Sequence, residues 1–80
     1  MTEHDLTEAH AVRQKTHEWI ATMETAGISE AVIVTAAMQA LIERALVSGG
    51  PHKTAKWLRS QARQTEKHGQ ELIDALRGGD

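Results

Sequence analysis

The sequence predicts an all-α fold: a three-helix bundle running up-down-up through short glycine corners and packed as a helical homodimer. Three observations predict it. Ala, Leu, Glu, Gln and Lys, all helix formers, are plentiful, while the chain holds two tryptophans, one proline and no phenylalanine or tyrosine. That composition argues against a β-sandwich or barrel. Apolar residues recur at steps of three and four through three successive stretches. Glycines fall between those stretches, at Gly27 and at Gly49-Gly50. The 80 residues form one domain, 1–80.

The first helix is expected over about 5–25. Two caps suit its start: Thr2 with Asp5, or Asp5 with Glu8. Ala9, Val12, Thr16, Trp19, Met23 and Ala26 make its helical seam, widened by Leu6 and Ile20, and Trp19 is placed in the core. Gly27 suits the C′ position, where a left-handed backbone carries no Cβ penalty. Ile28 then packs on Met23 and, as the residue before the Ser29 N-cap, staples to Ile33.

The second helix is expected over about 30–48 and carries two apolar seams. Val34, Met38, Leu41 and Ala45 form one; Ile33, Ala36, Ala40 and Val47 form the other. A helix apolar on most sides needs cover on most sides. Two partner helices in so short a chain supply only part of it. Ile33, Ala36, Ala40 and Val47 are therefore expected in a symmetric dimer interface, where Ala36 and Ala40 let a second helix approach closely. The third helix is expected over about 51–77, with the heptad seam Ala55, Leu58, Ala62, Thr65, Gly69, Leu72 and Leu76. Gly78-Gly79 is its expected end.

The second corner lies in the stretch SGGPHKTAKW, which has the look of a phosphate-cradling loop. The full motif needs glycine before the Lys-[Ser/Thr] pair and a strand ahead of the loop. Here His52 precedes Lys53, Pro51 removes one backbone N–H, and no strand is predicted. A helix corner accounts for the residues better. Gly49 ends one helix, Gly50 caps the next, and Pro51 takes the first position, where its missing N–H costs nothing. His52 and Lys53 in the first turn oppose the helix dipole, a conflict that an anion or a partner's carboxylate relieves.

Charge is distributed unevenly. Residues 1–30 hold six acids and two bases, a balance of −4, whereas residues 51–80 hold six bases and four acids, a balance of +2. The bases of the third helix line up: Lys53, Lys56, Arg59, Arg63 and Lys67 step by three or four, with no acid between Pro51 and Glu66. Trp57 lies beside this stripe and off the leucine seam. Trp and Arg are the side chains most enriched in binding hot spots. The stripe, together with His52 and Trp57, is thus the expected partner- or anion-binding face. Its expected role is that of a small non-enzymatic protein–protein interaction module, a regulator, adaptor or inhibitor of bacterial, phage or mobile-element type that grips an acidic partner. The alternative is nucleic-acid binding through the same face, which a sequence pI of 6.2 disfavours. The bland assignment is a solvated face, or pairing with Glu8 and Glu18 of the first helix.

A metal-binding bundle is the third reading. Glu3, His10, His17 and Glu24 recur every seven residues, but such neighbours stand about 10 Å apart along one helix. Zinc ligands lie about 2.1 Å from the ion, so no two of them share one. His4 with Glu8 and His68 with Glu71 have chelating spacing, yet neither belongs to a recognised ligand motif. No metal and no cofactor are expected. The absence of cysteine excludes thiolate zinc sites, iron–sulfur clusters and cysteine nucleophiles, and fits a cytoplasmic location. No assembled acid–base or nucleophile set points to catalysis. The first residues are polar, which predicts no secretory leader. The apolar run 31–42 is broken by Thr35 and Gln39 and falls short of the roughly 20 residues of a membrane span, so no membrane partner is expected.

Overall fold

The computed structural model describes residues 2–78. It contains two helices, α1 (Glu3–Thr25) and α2 (Glu30–Leu76), and no strand among the described residues. The all-helical class is as expected. The three-helix bundle is not: residues 51–76, expected as a separate third helix, are the distal arm of a 47-residue α2. One residue, Gly50, has non-helical geometry within it. Connections between antiparallel neighbours in bundles run to about 2–8 residues, and a single residue is less than that. Many residues expected to fill a bundle core, among them Met38, Leu41, Leu72 and Leu76, are exposed, whereas Ala45, Ala55 and Leu58 are half-buried.

The chain divides into two compact units, Met1–Leu41 and Ile42–Asp80. In the first, α1 begins with a complete capping box: the Asp5 N–H donates to Thr2 Oγ1 at 3.2 Å, and the Thr2 N–H donates to Asp5 Oδ2 at 3.3 Å. Of the two caps that suit the sequence, this is the one adopted. The helix ends in a Schellman turn. The Gly27 N–H donates to the Glu24 carbonyl at 2.9 Å and the Ile28 N–H to the Met23 carbonyl at 3.2 Å. Gly27 takes φ 97°, a conformation that any side chain would strain. Ser29 then opens α2, its Oγ accepting from the Val32 N–H at 3.4 Å.

This short corner organises the only apolar core of the unit. Ile33 is 3 % exposed, and Ile20, Met23, Ile28 and Ala37 are half-buried. Each is at or near the corner, because the Schellman turn and the Ser29 cap hold Ile28 between the two helices. Trp19, expected in the core, is 47 % exposed. It lies one turn before Met23, further from the corner, and little covers it there.

The second unit is built on Gly50. Its φ of 82° and ψ of 172° lie in a region that essentially only glycine occupies. Pro51 comes next, so the residue before it is also barred from helical geometry. These two residues bend the chain locally and let helical hydrogen bonding resume at once. Thr54, 4 % exposed, is buried at this break, with Ile42, Ala45, Ala55, Leu58 and Ser60 half-buried. Past Ser60, only Gly69 among the described residues is even half-buried. Gly78 ends the arm with its N–H 3.3 Å from the Ala75 carbonyl; Gly79, its expected companion, lies outside the described residues.

Thr54 carries a local frustration. Thr7, Thr16, Thr22, Thr25 and Thr65 each donate Oγ1 to the carbonyl four residues earlier, at 2.7–3.0 Å. For Thr54 that residue is Gly50, whose geometry is not helical, and Thr54 Oγ1 has no hydrogen-bond partner. A buried unsatisfied hydroxyl costs roughly 1–3 kcal/mol. Thr54→Val keeps the shape and removes the hydroxyl. Thermal melts should show a higher Tm, by about 4–8 °C for each kcal/mol recovered in a domain this small. A lower Tm for Thr54→Val would show that the hydroxyl is satisfied in solution.

Candidate interaction surface

The distal arm of α2 holds every residue of the expected binding face on the second unit. His52, Lys53, Lys56, Arg59, Arg63 and Lys67 are all exposed, and Trp57 is 43 % exposed. Helical spacing brings the five bases onto one side. At 1.5 Å per residue the row from Lys53 to Lys67 is about 21 Å long. Lys53 begins it against the corner: a Cβ placed on Gly49 would meet Lys53 Cβ at 3.5 Å and Cδ at 3.7 Å. The aliphatic stem of Lys53 thus covers the glycine backbone. A cavity of about 200 Å³ beside it is lined by Ala45, Ser48, Gly49, Lys53, Thr54 and Trp57.

Among the described residues no acid of the second unit forms a salt bridge with the row. Glu71 faces His68, with Oε2 3.7 Å from Nδ1, and Asp74 accepts from Gln70 at 3.1 Å. Glu8 and Glu18, the candidate counterions on the first helix, have partners on α1 itself. His4 Nε2 lies 2.7 Å from Glu8 Oε1, and Lys15 Nζ lies 3.6 Å from Glu18 Oε2. The salt bridges among the described residues are thus all local pairs on one helix, and none includes a base of the row. These are exposed pairs worth about 0–1 kcal/mol each, so they organise little.

Residues expected in the dimer interface divide. Ile33 is the buried core of the first unit, while Ala36, Ala40 and Val47 are exposed, Val47 at 90 %. The other seam, Val34, Met38 and Leu41, is also exposed. On α1, Val12 is 65 % exposed; with Ala11, Lys15, Thr16 and Trp19 it lines an open groove of about 370 Å³. Sequence periodicity marks Val12 and Trp19 as seam residues, but it carries no sign that they face outward.

Three of the five histidines, His4, His10 and His68, take local partners. The two spacings with chelating geometry are the His–carboxylate contacts already described, and Arg13 Nη2 donates to His10 Nδ1 at 2.7 Å. Among the described residues no group of three or more His, Asp or Glu side chains converges as a metal would need. By length and composition α2 is apolar enough to cross a membrane: an 18-residue window reaches a mean hydropathy of 1.5 and is 6 % buried. Its apolar stretch also holds adjacent charges, Glu43 and Arg44. Charges such as Asp, Lys and Arg each cost about 2.5–3.5 kcal/mol at the centre of a spanning helix.

No family model matches this chain, and neither a curated protein nor a solved structure is similar to it.

Proposed function

We propose that this chain is a small non-enzymatic protein–protein interaction module whose basic arm binds an acidic protein surface. One observation carries this reading. Five cations stand in a row on one helix face with no salt bridge to any of them among the described residues, next to a tryptophan with 43 % of its surface free. Arg and Trp supply planar, multidentate contacts at low entropic cost, and so recur as anchors in protein interfaces. The exposed apolar seams on both units favour a protein partner over a polyanion such as DNA, because they offer area that only another apolar surface rewards.

Fluorescence tests the reading. In a Trp19→Phe background, Trp57 is the sole indole. Addition of poly-glutamate should shift or quench its emission saturably. The response should fade as salt rises from about 0.1 M to 1 M, where the Debye length falls from about 10 Å to 3 Å. Arg59→Ala with Arg63→Ala should remove most of it. An unchanged Trp57 signal at low salt would defeat the proposal, and tight retardation of duplex DNA without a poly-glutamate response would replace it with nucleic-acid binding.

A further inference from the structure

Resting on that reading, we infer that the acidic partner is a second copy of this chain: the basic arm of each copy docks against α1 of the other.

The chain carries its own complement. Its first unit, Met1–Leu41, holds six acids and two bases, a balance of −4. Its second, Ile42–Asp80, holds seven bases and five acids, a balance of +2. The opposite charges reside on separate units, so a head-to-tail arrangement of two copies brings unlike charge together twice. Such an exchange is isologous: the contact made by the first copy's α1 is repeated by the second copy's α1. Where both contacts form within one pair of chains, the assembly closes at two and does not grow into a fibre.

The apolar features correspond as well. Glu8, Val12 and Trp19 share one face of α1, at spacings of four and seven. The open groove of about 370 Å³ along Val12 and Trp19 is also lined by Lys15, whose charge Glu18 offsets at 3.6 Å, and Glu8 lies one turn before Val12. On the arm, Trp57 shares a groove with Lys53 at the head of the basic row. An indole seated in the α1 groove brings that row toward Glu8 and Glu18. Each unit thus presents one half-exposed tryptophan, and the two units carry opposite net charge. Aromatic anchors surrounded by charge define a register that charge alone leaves loose.

Charge exchange between two variants tests the pairing. Sedimentation equilibrium of the wild-type chain at micromolar concentration and low salt should give a mass approaching two 8.8 kDa chains. The mass should fall toward one chain in high salt. Lys56→Glu with Arg59→Glu and Arg63→Glu should be monomeric, as should Glu8→Lys with Glu18→Lys. An equimolar mixture of these two variants should regain the two-chain species, because one reversed arm then meets one reversed α1. Circular dichroism of each variant checks that it remains helical. A wild-type mass fixed at one chain overturns the inference, as does an arm-reversed variant that still pairs, or a mixture that fails to recover. If the wild-type chain is monomeric yet still answers poly-glutamate, the self-pairing falls while the acidic-partner function stands. Loss of both responses removes the function too.

Discussion

Replacing Ile33 by alanine is expected to unfold the first unit. Ile33, at 3 % exposure, is the single buried apolar side chain of the described residues. Ile-to-Ala substitutions in cores cost about 2–5 kcal/mol through lost transfer energy and the cavity left behind. Native stabilities run to about 0.05–0.15 kcal/mol per residue, so a unit of roughly forty residues has little beyond this to lose. Its few helpers, Ile20, Met23, Ile28 and Ala37, are only half-buried and cannot close a cavity without drawing α1 inward. Val32, next in sequence and exposed, serves as the control. Urea unfolding monitored at 222 nm should show Ile33→Ala markedly destabilised and Val32→Ala nearly unchanged. Equal midpoints for the two variants would mean that the corner core does not hold the unit together.

The second large effect is expected at Gly50, and its neighbour should respond in the opposite direction. Alanine at Gly50 must either keep φ 82° and ψ 172°, at about 1–3 kcal/mol, or leave that conformation. Helical geometry is the wrong escape, because Pro51 disfavours it in the preceding residue. It also drives the Pro51 ring toward the Val47 carbonyl, a conflict of about 3 kcal/mol. Gly50→Ala should therefore lose about 1–3 kcal/mol by whichever route costs less. Gly49 lies in regular helix, and a Cβ there meets only Lys53 side-chain carbons at 3.5 and 3.7 Å, an ordinary contact. Gly49→Ala should be neutral or stabilising by up to about 1 kcal/mol, since alanine has less chain entropy to lose. Thermal melts of the two variants give the sign directly. A Gly50→Ala variant as stable as the wild type would show that the break is not a fixed feature of α2.

The parts of this fold that are legible in the sequence are those fixed by local chemistry. Gly27 with Ile28-Ser29 specifies a Schellman turn and an N-cap because each residue meets a short-range demand: positive φ, a C3 contact, a side-chain acceptor. Thr2 with Asp5 reads as a capping box for the same reason. Gly50-Pro51 is legible as a discontinuity, but the sequence does not show that helical hydrogen bonding resumes directly after it. The heptad seam Ala62, Thr65, Gly69, Leu72 and Leu76 announces that the arm needs cover, and periodicity cannot state which chain supplies it. The bundle expectation assigns that cover to the chain's own helices, and the structure withholds it. Trp19 is misplaced by the same assumption. The basic row is plain from its spacing, whereas its lack of counterions becomes visible only once Glu71, Asp74, Glu8 and Glu18 are seen to have other partners. Thr54 escapes a periodicity argument altogether, although its position four residues after a glycine that cannot be helical is the available signal.

The proposed binding of protein by the arm rests on an imbalance. Most helical stability in proteins comes from packing an apolar face, and the stretch beyond Ser60 has almost nothing buried on it. In that proposal, its bases and Trp57 specify the kind of neighbour that covers it.

Residue-resolved amide hydrogen exchange tests this claim most directly. The amides of residues 53–76 should exchange quickly in dilute protein and slow severalfold as the concentration rises or as poly-glutamate is added, with the core at Ile33 unaffected. Exchange in the arm that stays the same at every concentration and with every acidic ligand would contradict the account.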